Sequence, residues 1–381
     1  MFFFTLLHEQ VNEQIKESQQ DMKYADSFFF AQTERSLGLL SGLAEALTAA
    51  SDKINIYTTY SRSSGRRQEA ADSLDKVSDA ITSLKKNIKN RLVWIDRAGS
   101  LRLAFCPKNT ASIISDLYFK GSFQATLTSA TLTNSARGSL NDMYSYFINN
   151  TGFPAGGKGF LLEPKPSPYP YDEHAMIYYA EDLPHPTHEH EAFIKEGVRR
   201  LVEILNISHG KALVLFTAKT DMEEVYKTLT AMELPYHILM QSEGASQERL
   251  LEQFRSDTDS VLLGSGAFWE GISIEGKALS NVVIFRLPFP VPDPIIEDKT
   301  KQAKNALMDV LLPEMIIKLK QGIGRLIRNF TDTGIVSIID PRLADGGKSP
   351  YRDLTWDALP IKNRTSDIKA LSAFYQSLFD K

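Results

Sequence analysis

Cysteine is almost absent from this chain of 381 residues, which has only Cys106. One cysteine cannot form an internal disulfide bond, and it cannot build a four-cysteine zinc or iron–sulfur site from this chain alone. A reducing compartment fits this composition. We therefore predict a cytoplasmic protein with no metal or iron–sulfur ligands in these residues.

Long hydrophobic runs and a strong excess of one charge are also missing. The apolar stretch Phe2-Phe3-Phe4 is short and has no basic region before it, so it predicts neither a signal peptide nor a membrane span. No membrane partner is expected. The formal net charge of -4 indicates that any nucleic-acid binding must use local basic patches.

Proline is absent from the first part of the chain, since all 17 prolines lie at or after Pro107. Because proline breaks helix interiors, a long proline-free stretch with leucines at helical spacing predicts helices. We predict an all-helical domain over residues 1–91. Its basic end, with Lys85, Lys86, Lys89 and Arg91, is either a solvated helix end favoured by the helix dipole or a contact to a DNA backbone.

Beyond residue 191 the chain alternates between helical patterns and short apolar runs, which is typical of a parallel α/β fold. The predicted strands are Ala212 to Phe216, Tyr236 to Met240, Ser260 to Gly264, Asn281 to Leu287 and Gly334 to Asp340. A segment rich in small hydroxyl residues, 123–133, is expected to end a further buried strand. The predicted fold class is α/β with a RecA-like parallel sheet.

Two arginines three residues apart, Arg325 and Arg328, follow Gln321 and Gly324 at the end of a helical pattern. On a helix such arginines project from one face, and a guanidinium matches the oxygens of a phosphate. The sequence therefore predicts a phosphate grip. The alternative for an isolated pair is a solvated basic turn.

Four stretches together resemble helicase motifs of superfamily 2. Gln-x-x-Gly-Arg-x-x-Arg at residues 321–328 resembles motif VI, Thr128 to Leu132 resembles motif III, and Ala212 to Thr220 resembles motif IV. Phe268-Trp269-Glu270-Gly271 looks like motif V in its DinG form. The chain is similar to the C-terminal part of a DinG-type ATP-dependent DNA helicase, a family related to XPD.

The resemblance implies roles for individual residues. Those implied in catalysis at the phosphate are Arg328, as an arginine finger, with Arg325, Gln321 and Glu270. Those implied in nucleotide binding or coupling are Gly324, Gly271, Ser273, Ser129 and Thr131. Those implied in DNA contact are Thr217, Lys219, Gly264, Ser265 and Trp269. Ser273 stands where the family usually has Asp, and Ala267 where it usually has Ser.

A phosphate-binding loop of the form Gly-x-x-x-x-Gly-Lys-Ser/Thr is missing from the 381 residues. The stretch ending in Gly346-Gly347-Lys348-Ser349 has Arg342 at the first glycine position. A second stretch, residues 155–160, lacks the hydroxyl. The resemblance implies that ATP and Mg²⁺ are held with a domain that carries the Walker A motif and the Asp-Glu-Ala-His box, outside this chain.

The domains expected from the resemblance are a helical arch-like domain over residues 1–91, the end of a first RecA-like domain over 92–135, and a second RecA-like domain over 136–381. The implied substrate is single-stranded DNA, with movement five-prime to three-prime. Alone, these residues are expected to be inactive. The alternatives are a non-catalytic single-stranded nucleic-acid-binding module, or a regulatory half that completes a separate N-terminal helicase domain in trans.

Overall fold

The computed structural model describes residues 2–18, 27–59, 65–96, 102–241, 246–257, 259–269, 274, 278–347 and 349–378. The chain divides into two compact units. The first contains Met1–Ile113 and Pro292–Gln302, and the second contains Ile114–Val291 and Ala303–Lys381.

The helices and strands of the described residues are as follows. The helices are α1 (Phe2–Ser18), α2 (Glu34–Thr59), α3 (Gly65–Lys86), α4 (Thr110–Tyr118), α5 (Leu140–Met143), α6 (Ser145–Thr151), α7 (Tyr171–His174), α8 (His190–Ser208), α9 (Lys219–Ala231), α10 (Gln247–Ser256), α11 (Pro294–Gln302), α12 (Leu312–Ile323), α13 (Arg352–Ala358) and α14 (Ile368–Ser377). The strands are β1 (Ser27–Phe29), β2 (Arg91–Asp96), β3 (Arg102–Pro107), β4 (Ala175–Tyr179), β5 (Ala212–Phe216), β6 (Ile238–Met240), β7 (Val261–Ser265), β8 (Asn281–Ile284), β9 (Gly334–Ile338) and β10 (Arg364–Thr365).

The first unit combines helices with a small antiparallel sheet of order β1-β2-β3. Leu40 of α2 and Leu84 of α3 are buried with Val93 and Ile95 of β2, so the helices cover one face of the sheet. The prediction of an all-helical domain over residues 1–91 is therefore wrong at β1, which pairs with β2. Helical spacing over the flanking segments does not reveal a strand of three residues whose hydrogen-bond partners lie more than sixty residues away.

The second unit is built on a parallel sheet of seven strands in the order β10-β4-β9-β8-β5-β7-β6. Alternate residues of β5 belong to different cores, with Leu213 and Leu215 on one face and Val214 and Phe216 on the other. Helices α8, α9 and α14 cover the second face, and α10, α12 and α13 cover the first. This arrangement confirms the predicted α/β class with a RecA-like parallel sheet.

All five strands predicted beyond residue 191 are present, with ends shifted by up to three residues. Within the seven-stranded sheet, the strands that the sequence analysis does not predict are β4 and β10. Strand β4 follows a proline-rich stretch and a short acidic helix, and these neighbours gave no indication of a strand. Its run Ile177-Tyr178-Tyr179 is nevertheless typical of strands. Strand β10 has only two residues and no pattern of its own.

The hydroxyl-rich segment 123–133 is not a strand, which contradicts the prediction. Residues 121–130 are exposed, and no strand of the described residues pairs with them. A buried parallel strand needs neighbours on both sides to accept and donate its backbone hydrogen bonds. Without such neighbours, local β propensity does not produce a strand.

No helix in the described part of the chain has both the length and the apolar character needed to cross a bilayer.

Candidate functional site

Helix α12 ends before the two arginines of the predicted phosphate grip. Its last residue is Ile323, and the N–H of Gly324 donates to the Lys320 carbonyl at 2.9 Å. The N–H of Arg325 then donates to the Gly322 carbonyl at 3.1 Å, which tightens the chain into a turn. Arg325 and Arg328 therefore lie in the loop after the helix, and the prediction that they share a helix face is wrong.

The Arg325 side chain contacts the segment that carries Trp269. Its Nε and Nη2 donate to the Trp269 carbonyl oxygen at 3.2 and 2.6 Å. The structure thus joins two of the stretches that the sequence singled out, although 56 residues separate them along the chain. A forked guanidinium is well suited to holding one oxygen from two donors.

Trp269 is buried in the core of the second unit, with none of its surface exposed. Its indole Nε1 donates to the Phe216 carbonyl at 2.9 Å, at the end of β5. A Cβ on Gly322 would lie 2.9 Å from the indole Cζ3, so glycine is needed there for α12 to approach the ring. A fully buried ring cannot stack on a base, so the DNA contact predicted for Trp269 does not fit its position.

Gly264 and Ser265 end strand β7 and are also buried. A Cβ on Gly264 would lie 2.6 Å from Cγ of Phe268, so this glycine gives the Phe268 ring its space. The N–H of Ser265 donates to Oε1 of Gln241 at 3.0 Å. The DNA role predicted for both residues remains a prediction.

Two backbone hydrogen bonds hold the loop of Arg328. The N–H of Arg328 donates to Oδ2 of Asp332 at 2.9 Å, and the Tyr169 hydroxyl donates to the Arg328 carbonyl at 2.6 Å. The Tyr169 ring packs edge-on against Phe330, with 5.2 Å between ring centroids. Arg328 and Gln321 are both partly exposed. Their predicted roles at a phosphate remain predictions.

Thr217 and Lys219 lie between the carboxyl end of β5 and the start of α9, as predicted. Thr217 is partly exposed and Lys219 is exposed. All strands of this sheet are parallel, so the carboxyl ends of β5, β7, β8 and β9 meet at one edge, where helix N-termini offer N–H groups to anions. The predicted contact with a DNA backbone is compatible with this place.

Charged side chains that the sequence did not single out lie at the same edge. The buried Asp221 carboxylate accepts from His190 at 3.1 Å and from Arg286 at 3.4 Å. Asp340, also buried, accepts from the N–H of Leu287 at 2.9 Å and from the Arg342 guanidinium. Arg286 and Asp340 each lie two residues beyond the end of their strand, β8 and β9, so the rule that ligands bind at the carboxyl ends of parallel strands could have found them.

Helix α12 also holds the segment that contains Ser129 and Thr131. The Lys320 ammonium donates to the Thr133 carbonyl at 3.0 Å, and burial, followed by the charge of Lys362, lowers the pKa of Lys320 to about 8. The Thr131 N–H donates to the Ser129 hydroxyl at 3.2 Å. Ser129 and Thr131 therefore lie in one turn, two residues before Thr133, which is hydrogen-bonded to α12.

A second contact ties the same part of the chain to α12. The Tyr146 hydroxyl, on α6, donates to the Glu314 carboxylate. Burial, with the Glu314 carboxylate as the next cause, raises the pKa of Tyr146 above its ordinary value. The phenol thus keeps its proton at neutral pH and remains the donor in this bond.

Three predicted site residues, Glu270, Gly271 and Ser273, lie outside the described residues. Gly324 forms the turn after α12, as described above. In the described part of the chain, no group of three or more His, Cys, Asp or Glu side chains is arranged to hold a metal ion.

Comparison with known proteins supports the helicase resemblance. Residues 201–360 match the family "Helicase C-terminal domain". The chain is 29% identical over 356 residues to the ATP-dependent DNA helicase YoaA of Haemophilus influenzae, with 90% of this chain and 53% of that protein covered. It is 33% identical over 272 residues to the YoaA of Escherichia coli, with 70% and 40% covered.

The chain is a relative of the DinG-type helicases. A further relative, the 3'-5' exonuclease DinG of Bacillus subtilis, is 32% identical over 264 residues, with 67% of this chain and 27% of that protein covered. The chain thus spans about half the length of the first of these curated relatives, and less of the others.

Solved structures of XPD helicases share the fold of this DinG relative. One XPD helicase structure has a TM-score of 0.57 at 17% identity and covers 94% of this chain, with 62% of its own chain matched. The Xpd4 of S. tokodaii has a TM-score of 0.56 at 16% identity, with 94% and 64% covered. At these identities the likeness shows the fold alone.

Proposed function

We propose that this chain is the C-terminal motor portion of a DinG-like ATP-dependent DNA helicase. In this proposal it acts with a domain that carries the Walker A motif and the Asp-Glu-Ala-His box, in the same chain or in another. The complete motor couples hydrolysis of ATP, held with Mg²⁺, to five-prime to three-prime movement on single-stranded DNA. The domain order expected from the sequence, with a helical arch-like part and two RecA-like parts, belongs to the same proposal.

The observation that carries the proposal is the hydrogen bond from Arg325 to the Trp269 carbonyl. This bond joins Arg325 to Trp269, so the described residues of the two stretches that resemble motifs V and VI are in contact, which supports the proposal. An arginine side chain in the loop after α12 can stabilise the negative charge that builds on a transferring phosphoryl group. We assign this role to Arg328, with Gln321 positioning the nucleotide or the attacking water.

The first experiment measures ATP turnover by the purified chain, alone and co-expressed with the part of a YoaA relative that carries the Walker A motif. We expect turnover only in the co-expressed pair. Arg328→Ala should lower kcat of the pair by about a thousandfold or more, as loss of an arginine finger does. Arg199→Ala, on the outer face of α8, is the control and should leave kcat unchanged.

Two results would contradict the proposal: ATP turnover by the chain alone, or equal turnover by the pair with and without Arg328. The absence of a phosphate-binding loop from the 381 residues favours one second candidate, a non-catalytic module that binds single strands. That candidate predicts salt-dependent binding of oligo(dT) that ignores ATP and Mg²⁺ even in the co-expressed pair.

A further inference from the structure

A cleft of about 360 Å³ lies in the first unit, between the β1 and β2 side of the small sheet and α11. This volume is within the range of small-ligand pockets, roughly 300 to 1,000 Å³. None of the residues that line the cleft belongs to the stretches that resemble helicase motifs. Its walls combine basic side chains with a phenyl ring.

Three cations and one carboxylate line the cleft: Arg91, Lys108, Lys301 and Asp298. Lys108 is exposed at the end of β3, and its N–H donates to the Asn90 carbonyl at 2.9 Å, which holds it beside Arg91. Two carboxylates oppose this positive charge in part. Glu297 bridges to Lys301 at 3.1 Å, and Asp298, in the lining itself, accepts from the neutral amide of Gln302.

Aromatic rings lie next to these cations. The Lys301 ammonium sits over the Phe29 ring at 4.6 Å from its centroid, and the Arg91 guanidinium sits over Phe105 at 5.0 Å. Phe29 belongs to β1, an edge strand of the sheet, and 37% of its surface is exposed. An exposed ring at a sheet edge beside cations is the combination that binds single strands, because bases stack on the ring and cations neutralise phosphates.

We propose that this cleft binds the backbone of single-stranded DNA as a contact additional to the motor surface, with Phe29 stacking on a base. The proposal rests on the proposed function only in taking single-stranded DNA as the ligand. Lys108 and Lys301 contact phosphates, and Arg91 adds a further positive charge to the lining of the cleft.

The test is a fluorescence anisotropy titration of the full chain with labelled oligo(dT) at several salt concentrations. Lys108→Ala and Lys301→Ala should each weaken binding about fivefold at 0.1 M salt and reduce the salt slope by about 0.7, the value for one single-strand phosphate. Phe29→Ala should weaken binding about tenfold with the salt slope unchanged. Lys53→Ala, an exposed lysine of α2, is the matched control and should bind like the unchanged chain.

The sole cysteine supplies a second readout that does not need a substitution in the cleft. Cys106 of β3 lies opposite Leu92 of β2, and Leu92 lines the cleft. Bound phosphates should slow alkylation of Cys106 by iodoacetamide, because added negative charge disfavours the thiolate. Saturating oligo(dT) should therefore lower the alkylation rate several-fold.

The proposal is overturned if Lys108→Ala and Lys301→Ala bind oligo(dT) like Lys53→Ala, or if bound oligo(dT) leaves the Cys106 rate unchanged. Binding of polyglutamate in place of oligo(dT) would equally overturn it, in favour of an acidic protein partner. Lys219→Ala separates this outcome from a failure of the proposed motor surface. If only Lys219→Ala weakens binding, DNA binds at the motor surface and not in the cleft. If only the cleft variants weaken binding, DNA does not bind at the motor surface.

Discussion

The guanidinium of Arg325 holds the carbonyl oxygen of Trp269 with two donors, Nε at 3.2 Å and Nη2 at 2.6 Å. This contact fixes the loop after α12 to the stretch after β7. A buried carbonyl accepts from a cation here, so removal of the cation leaves the carbonyl without that donor. The two stretches should therefore loosen together when Arg325 is changed.

Arg325→Ala should lower the free energy of unfolding of the α/β unit by about 2 kcal/mol, within the range for hydrogen bonds to charged groups. Urea unfolding followed by circular dichroism measures this loss. Arg199→Ala removes an exposed arginine with two ion pairs on α8 and should cost less, because surface pairs contribute little. Equal losses in the two variants would show that the contact with Trp269 stabilises the unit no more than a surface ion pair does.

Gly322→Ala should destabilise the α/β unit by about 1 to 3 kcal/mol, because its new methyl group would lie 2.9 Å from the Trp269 ring and 3.1 Å from Ile284. The same urea experiment reports this loss, and the tryptophan emission spectrum reports whether the ring shifts. Gly157→Ala is the control, since its nearest neighbour would be the Pro154 carbonyl at 3.5 Å. A Gly322→Ala variant as stable as Gly157→Ala would contradict the close packing of α12 on Trp269.

Lys320 should make stability rise with pH. Burial lowers its pKa to about 8 in the folded chain, whereas an unfolded lysine has a pKa of about 10.4. Between these values the unfolded chain binds more protons, so the free energy of unfolding increases with pH. From pH 7 to pH 9 the contribution of Lys320 should grow by about 1 kcal/mol.

The measurement compares urea unfolding of the unchanged chain and of Lys320→Met at pH 7, 8 and 9. Methionine keeps most of the length of the side chain and carries no proton, so the difference between the two proteins should shift by about 1 kcal/mol in favour of lysine as pH rises. A difference that stays constant with pH would mean that Lys320 is not desolvated by folding.

The thiol of Cys106 should react slowly with iodoacetamide at pH 8. Burial raises its pKa, and the carboxylates of Asp298 and Asp293 raise it further. Asp298→Asn removes one of these charges and should speed alkylation, because more of the thiol is then ionised. Asp79→Asn, an exposed change on α3, should leave the rate as it was. If Asp298→Asn reacts no faster, α11 does not lie near Cys106 in solution.

Much of the α/β unit could be predicted from short-range pattern. The runs Ala212 to Phe216 and Gly334 to Asp340 are apolar on both faces and bounded by breakers, as buried parallel strands are, and both are strands. The motif-like stretches are also local, since they depend on residue types at fixed spacing. The family resemblance could therefore be stated before any contact was known.

The structure decided matters that depend on distant partners. Trp269 is predicted to contact DNA, but its ring is buried in the core, where it donates to the Phe216 carbonyl and packs against Gly322. Arg325 looked like a helical residue, but the chain turns after Ile323 and directs its guanidinium to a carbonyl 56 residues away. Segment 123–133 has strand-like composition and is not a strand, because no described strand offers it hydrogen bonds.

The sequence by itself determined the α/β class, most strands of the large sheet and the order of the helicase-like stretches, because hydrophobic period and residue spacing are local properties of the chain. Tertiary structure alone decided which of these side chains meet, which are buried and where β1 pairs. The physical reason is that burial and hydrogen-bond pairing are set by neighbours that the fold brings together from far along the chain.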